Sequence, residues 1–117
     1  MKIDDIAIAL IANLPPLPST AGPASGMVAL NPVSGDILAS SESRKPYEEY
    51  FDRLQNRTIQ HLSVRSQLGI RNLLIALVDA TVPREIPSDT NPVLLAYVYR
   101  FRDGSAALHL VYGHLPN

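Results

Sequence analysis

The stretch Val93-Leu-Leu-Ala-Tyr-Val-Tyr-Arg-Phe-Arg-Asp-Gly-Ser-Ala-Ala-Leu-His-Leu-Val-Tyr112 decides the fold. Two runs rich in β-branched and aromatic residues flank Asp103-Gly104, a dipeptide suited to the two positive-φ centres of a type I′ turn. A two-residue turn there pairs Arg102 with Ser105 and fixes the register outward from it. In that register Leu95, Tyr97, Tyr99 and Phe101 oppose Tyr112, Leu110, Leu108 and Ala106 on one apolar, aromatic face. The other face carries Leu94, Ala96, Val98, Arg100 and Arg102 with Ala107, His109 and Val111. Large side chains withdrawn from water contribute roughly 1.5–3 kcal/mol each, so the aromatic face reads as core. The arginine-bearing face reads as an outer surface open to water or to a partner.

Working back from this hairpin, Asn72 to Ala80 is an apolar run after Gly69, which fits either a helix or a buried strand. The strand reading is preferred. Thr81 to Pro92 holds three prolines and a Ser-Asp-Thr-Asn cluster and reads as a surface loop. Upstream, Tyr47, Tyr50, Phe51, Leu54, Thr58 and Leu62 recur at helical spacing. With Pro46 suited to a first turn, acids early and Arg65 late, they predict a main helix over Tyr47 to Leu68. Met27 to Leu30 and Ile37 to Ser40 flank Asn31-Pro-Val-Ser-Gly-Asp36, where Pro32 and Gly35 suit a tight turn, so a first hairpin is expected. Leu14 to Gly26 concentrates proline and glycine as a connector. Before it, Asp4 and Asp5 open a short apolar helix that Pro15-Pro16 stops. The two acids argue against a secretory signal there, and the run falls short of the about 20 apolar residues needed to span a bilayer.

The order is α-β-β-α-(β)-β-β. It predicts an α+β fold of two layers, an antiparallel sheet of four or five strands packed by one long and one short helix. With 117 residues, 46% hydrophobic and 18% charged, residues 1–117 form a single domain with a core of its own. In outline the order resembles the roadblock and profilin-like scaffolds, without a motif specific to either. Met27 to Ala39 resembles the opening strands of the penicillin-binding transpeptidase domain, and Gln55 to Gln60 is faintly similar to a later stretch of it. That family's chemistry needs a Ser-x-x-Lys nucleophile. Here the lysines are Lys2 and Lys45, and Glu42 stands three residues before Lys45, so no catalytic role is carried over.

Chemistry is sparse elsewhere as well. Without cysteine there is no disulfide, thiol catalysis or cysteine-bound metal, and a cytoplasmic, reducing location is expected. No Gly-rich phosphate loop and no Gly-x-Ser-x-Gly elbow occurs, so neither a nucleotide cofactor nor a catalytic residue is assigned. On the readings above, His109 and His114 face opposite sides of a strand and His61 lies on a helix, which leaves no metal-ligand spacing. Arg53, Arg57, His61 and Arg65 recur every four residues along the expected helix, a basic stripe that Arg44, Lys45 and Arg71 extend. Net charge is −1 and the neighbouring aromatics are committed to core, so nucleic acid is disfavoured and an acidic protein favoured.

The functional expectation is a small non-enzymatic protein-interaction module of adaptor or inhibitor type, with no cofactor and no membrane attachment. Its binding residues are Arg100, Arg102 and His109 on the outer sheet face and Arg53 and Arg57 on the helix flank. A homodimer through the same face or a free strand edge is a second use of these surfaces. The competing classes are an enzyme or ligand binder with a pocket near His61, Tyr47 and Arg65, and a nucleic-acid binder using the stripe.

Overall fold

The structure is a computed structural model that describes residues 2–14, 24–64, 70–101, 103 and 105–116. It is an α+β fold: α1 (Ile3–Asn13), β1 (Ala24–Leu30), β2 (Ile37–Ser41), α2 (Arg44–Arg53), β3 (Gln55–Val64), α3 (Ile70–Thr81), β4 (Asn91–Arg100) and β5 (Ala106–Leu115). The five strands form one antiparallel sheet in the order β2-β1-β4-β5-β3. Helices α1 and α3 pack on one face of it and α2 on the other, so the sheet is the middle of three layers with three helices, instead of one of two layers with two helices, because both its faces are apolar.

Local chemistry accounts for the first elements. The backbone N–H of Lys2 donates to the Asp5 carboxylate at 3.4 Å, which satisfies a free donor at the start of α1. In the first hairpin the Asn31 side-chain oxygen accepts from the N–H groups of Val33 (2.9 Å) and Ser34 (3.2 Å). Gly35 there sits at φ 78°, a conformation that a Cβ would strain. Ser43 caps α2, its hydroxyl accepting from the Lys45 N–H at 3.2 Å.

Three further sequence expectations are corrected. The main helix ends at Arg53 instead of near Leu68, and Gln55–Val64 is a strand. Leu54 leaves the helix with φ −71° and ψ 135°, and Asn56 takes φ 53°, which asparagine tolerates better than most residues. The four-residue spacing that continues through Thr58 to Leu62 is accidental. Leu62 packs against the α1/α3 core, whereas Tyr47 and Leu54 belong to the core on the opposite face.

The second correction concerns Asn72 to Ala80, which lies inside helix α3 and not in a strand. Leu74, Leu77 and Val78 are buried while Asn72, Ala76, Asp79 and Ala80 are exposed, the period of a helix with one face on the sheet. The strand β3 and the helix α3 have exchanged the roles foreseen for them, and the antiparallel sheet keeps five strands.

The third correction is the register of the final hairpin. Its strands pair as Leu94 with Tyr112, Tyr97 with His109 and Arg100 with Ala106, and the Phe101 N–H donates to the Ser105 carbonyl at 2.9 Å. Three residues, 102–104, therefore separate the last pair, instead of the two-residue turn at Asp103-Gly104. A slip of one residue moves every side chain of one strand to the other face relative to its partner. Leu94, Ala96 and Val98 join Leu108, Leu110 and Tyr112 in the α1/α3 core. Val93, Leu95 and Tyr97 join Val111, Met27 and Ala29 beneath Tyr47 and Leu54 of the α2 layer. Among the described residues the mixed outer face expected of this hairpin is not formed, because both of its faces are core over most of their length.

Candidate functional site

A cluster of aromatic and imidazole side chains lies on the α2 face of the sheet. Alternation along β5 places His109 on the side of Tyr97 and Val111, and the β3–β5 register sets His61 directly opposite His109. The two imidazoles stack with centroids 4.1 Å apart and 18° between planes. From above, α2 lowers Tyr47, which is 3% exposed, so that its hydroxyl lies 2.6 Å from His109 Nδ1. The Tyr47 ring lies 5.0 Å from Tyr97 and 6.2 Å from Phe51, and Phe51 lies 6.0 Å from His109. A half-buried imidazole is thus enclosed by Tyr47, Phe51 and His61.

Cations rim this cluster. The Arg44 guanidinium stands over Tyr99 (5.0 Å) and Tyr97 (5.7 Å) and pairs with Glu48 at 3.5 Å. Arg57 lies over Phe51 at 4.3 Å and donates to the Phe51 carbonyl at 3.1 Å, closing the end of α2 onto the start of β3. Arg53 lies over Tyr50 at 5.8 Å.

Burial, reinforced by His61 and Arg44, holds the His109 imidazole down to about 4. Burial, with Tyr99 next, pushes the Tyr47 hydroxyl well above the usual tyrosine range. Both groups are neutral at physiological pH. Tyr47 Oη and His109 Nδ1 share one hydrogen bond, and Nε2 is buried and without a partner among the described residues. The pair fastens α2 to the sheet.

Beyond the reach of α2 the same face opens at the edge of the sheet. Ile59 is 42% exposed, and His61 and Ser63 on the same face are also exposed. Arg53 and Arg57 stand exposed beside them.

Of the residues singled out from sequence, His109 lies at the centre of the aromatic cluster instead of on an arginine-bearing outer face. Arg53 and Arg57 come to one end of α2, but on a helix terminus and the following strand. The basic stripe is dispersed, since His61 belongs to β3 and Arg71 to α3 on the far side of the sheet. Arg65 and Arg102 lie outside the described residues, and of Arg100 the backbone pairs with Ala24 and Ala106. Tyr47 and His61, foreseen around a pocket, do converge, each from one side of His109. Sequence reasoning missed the Arg44 contact with Tyr97 and Tyr99 and the His61–His109 pair. Only a strand assignment for Gln55–Val64 would have signalled the second. Among the described residues no group of three or more His, Cys, Asp or Glu is placed to hold a metal ion, and no helix is long and apolar enough to cross a membrane.

No protein-family model matches the chain, and neither a curated protein nor a solved structure matches it significantly.

Proposed function

We propose that this protein is a small interaction module of adaptor or inhibitor type, binding a protein partner over the β3 side of the α2 face. The observation that carries this reading is an exposed apolar residue, Ile59, beside exposed His61 and Ser63, on a strand flanked by Arg53 and Arg57. An apolar centre with an arginine rim is the usual composition of a binding patch, and two guanidinium groups favour an acidic partner. The neutral Tyr47–His109 pair supports a structural role for the buried polar groups. The lack of cysteine fits a reducing compartment such as the cytoplasm.

The test compares wild type, the Arg57→Glu/Ile59→Glu double variant and Arg71→Glu on the far face, first by affinity capture and then by titration of each captured protein. A partner bound by wild type and Arg71→Glu but lost by the double variant supports the reading. Partners that bind the folded double variant with unchanged affinity overturn it.

A further inference from the structure

The sheet ends in two unlike edges. β2 is five residues long, and its pairing with β1 shifts between Ala29 and Leu30. β3 runs against β5 without interruption from Thr58 to Val64, and no strand among the described residues pairs with its other side. An edge strand presents a row of unpaired N–H and C=O groups, which proteins ordinarily guard with lysine, proline, an inward charge, a bulge or a short strand. Thr58-Ile-Gln-His-Leu-Ser-Val64 contains no lysine, proline, glycine, arginine or acid. Its guards, Arg57 and the register shift between Gln55 and Thr58, stand before the ladder and not within it.

We propose that this edge pairs with the same edge of a second copy of the chain, antiparallel about a two-fold axis perpendicular to the sheet at His61. This goes beyond the partner reading above, because it uses the backbone edge and leaves the α2 face open.

The register follows from the ladder. A perpendicular axis keeps each face continuous, so opposed residues must lie on the same side of the sheet. His61 is the midpoint of Thr58 to Val64, and centring there uses the whole uninterrupted ladder. Ile59 then stands opposite Ser63 of the second copy, Gln60 opposite Leu62, Thr58 opposite Val64, and His61 opposite itself. Within Thr58 to Val64 no formal charge of one sign meets its like, because that segment carries none. The same neutrality gives a charged strand of another protein nothing to recognise on this edge, whereas a second copy matches it in length and in polar and apolar alternation. The exposed Ile59 side chain gains a cross-strand neighbour. The Tyr97, His109, His61 row continues across the axis into its own copy, and the five strands become ten.

Sedimentation velocity of the purified chain is expected to show a reversible dimer at micromolar concentration. His61→Lys sets two ammonium groups directly opposite each other and is expected to weaken the dimer by about tenfold or more, with the circular dichroism spectrum unchanged. Ile59→Lys combined with Ser63→Lys, both at exposed positions, also sets lysine opposite lysine and gives the same result should His61→Lys fail to fold. Leu38→Lys on the β2 edge leaves the dimer intact. Because the natural chain lacks cysteine, His61→Cys is expected to form an interchain disulfide under mild oxidation faster than Gln60→Cys does. A wild type that stays monomeric throughout, or a dimer indifferent to both lysine variants on β3, overturns the proposal. No other protein is present in the cell, so either result leaves the partner reading to its own experiment.

Discussion

Replacing His109 with Phe keeps a ring beneath Tyr47 and removes the titrating group, so the stability of the variant is expected to depend on pH differently from that of wild type. The unfolded chain protonates a histidine near its ordinary 6.5, whereas the folded protein holds His109 to about 4. Between these values the unfolded state binds more protons. The contribution of the neutral imidazole is therefore complete above 6.5 and is lost as pH falls toward 4. A fully desolvated group displaced that far would account for about 3 kcal/mol. Water at the half-buried ring screens part of this, leaving about 1–2 kcal/mol. At neutral pH His109→Phe forfeits the hydrogen bond with Tyr47 and leaves that hydroxyl unpartnered, a cost of about 1 kcal/mol or somewhat more. The variant should therefore be the less stable protein at neutral pH and at least the equal of wild type near pH 4. Urea unfolding followed by circular dichroism across that range measures both curves. Their difference isolates the imidazole, because the carboxylates titrate in both proteins. A difference that stays constant with pH would refute the reasoning. In the companion cycle, Tyr47→Phe alone costs about 1–2 kcal/mol, and the double variant costs less than the sum of the two singles.

Two further substitutions probe the packing. At Gly113 a Cβ would meet the Gln55 carbonyl oxygen at 2.9 Å and Leu54 Cβ at 3.1 Å, so Gly113→Ala must push β5 away from the start of β3. A loss of about 1–3 kcal/mol in chemical denaturation is expected, and an unchanged midpoint would contradict that close approach. Tyr112→Phe should behave oppositely to Tyr47→Phe, because the Tyr112 hydroxyl is buried with no partner among the described residues. A neutral effect, or a gain of up to about 1 kcal/mol in thermal unfolding, is expected. A clear loss would show that this hydroxyl is hydrogen-bonded in solution.

The candidate site was legible only in pieces. Arg53, Arg57, His61, Tyr47 and His109 all stand out by residue type, but their grouping depends on which strand lies beside which. Tyr47 and His109 are 62 positions apart and meet through one 2.6 Å contact. His61 faces His109 only because β5 inserts between β4 and β3, so that two strands not consecutive in the chain become neighbours. Four-residue spacing over Arg53, Arg57 and His61 suggested a helical stripe. The chain reverses its geometry at Leu54 and Asn56, and the stripe dissolves.

What the sequence by itself determined is what neighbouring residues decide. The α1 helix between its acidic start and Asn13, the Asn31 to Asp36 turn and the existence of a final hairpin all rest on side chains acting on backbone a few positions away. The α+β class with an antiparallel sheet follows from counting such elements. Only the tertiary structure decided that Gln55–Val64 extends, that Ile70–Thr81 coils, and that Tyr97 pairs with His109 instead of Leu110. The physical reason is shared by all three. A short apolar run satisfies helix and strand equally until a neighbour supplies hydrogen bonds or a face to bury against. In a ladder of period two, a single residue of loop length exchanges the faces on which every following side chain is buried.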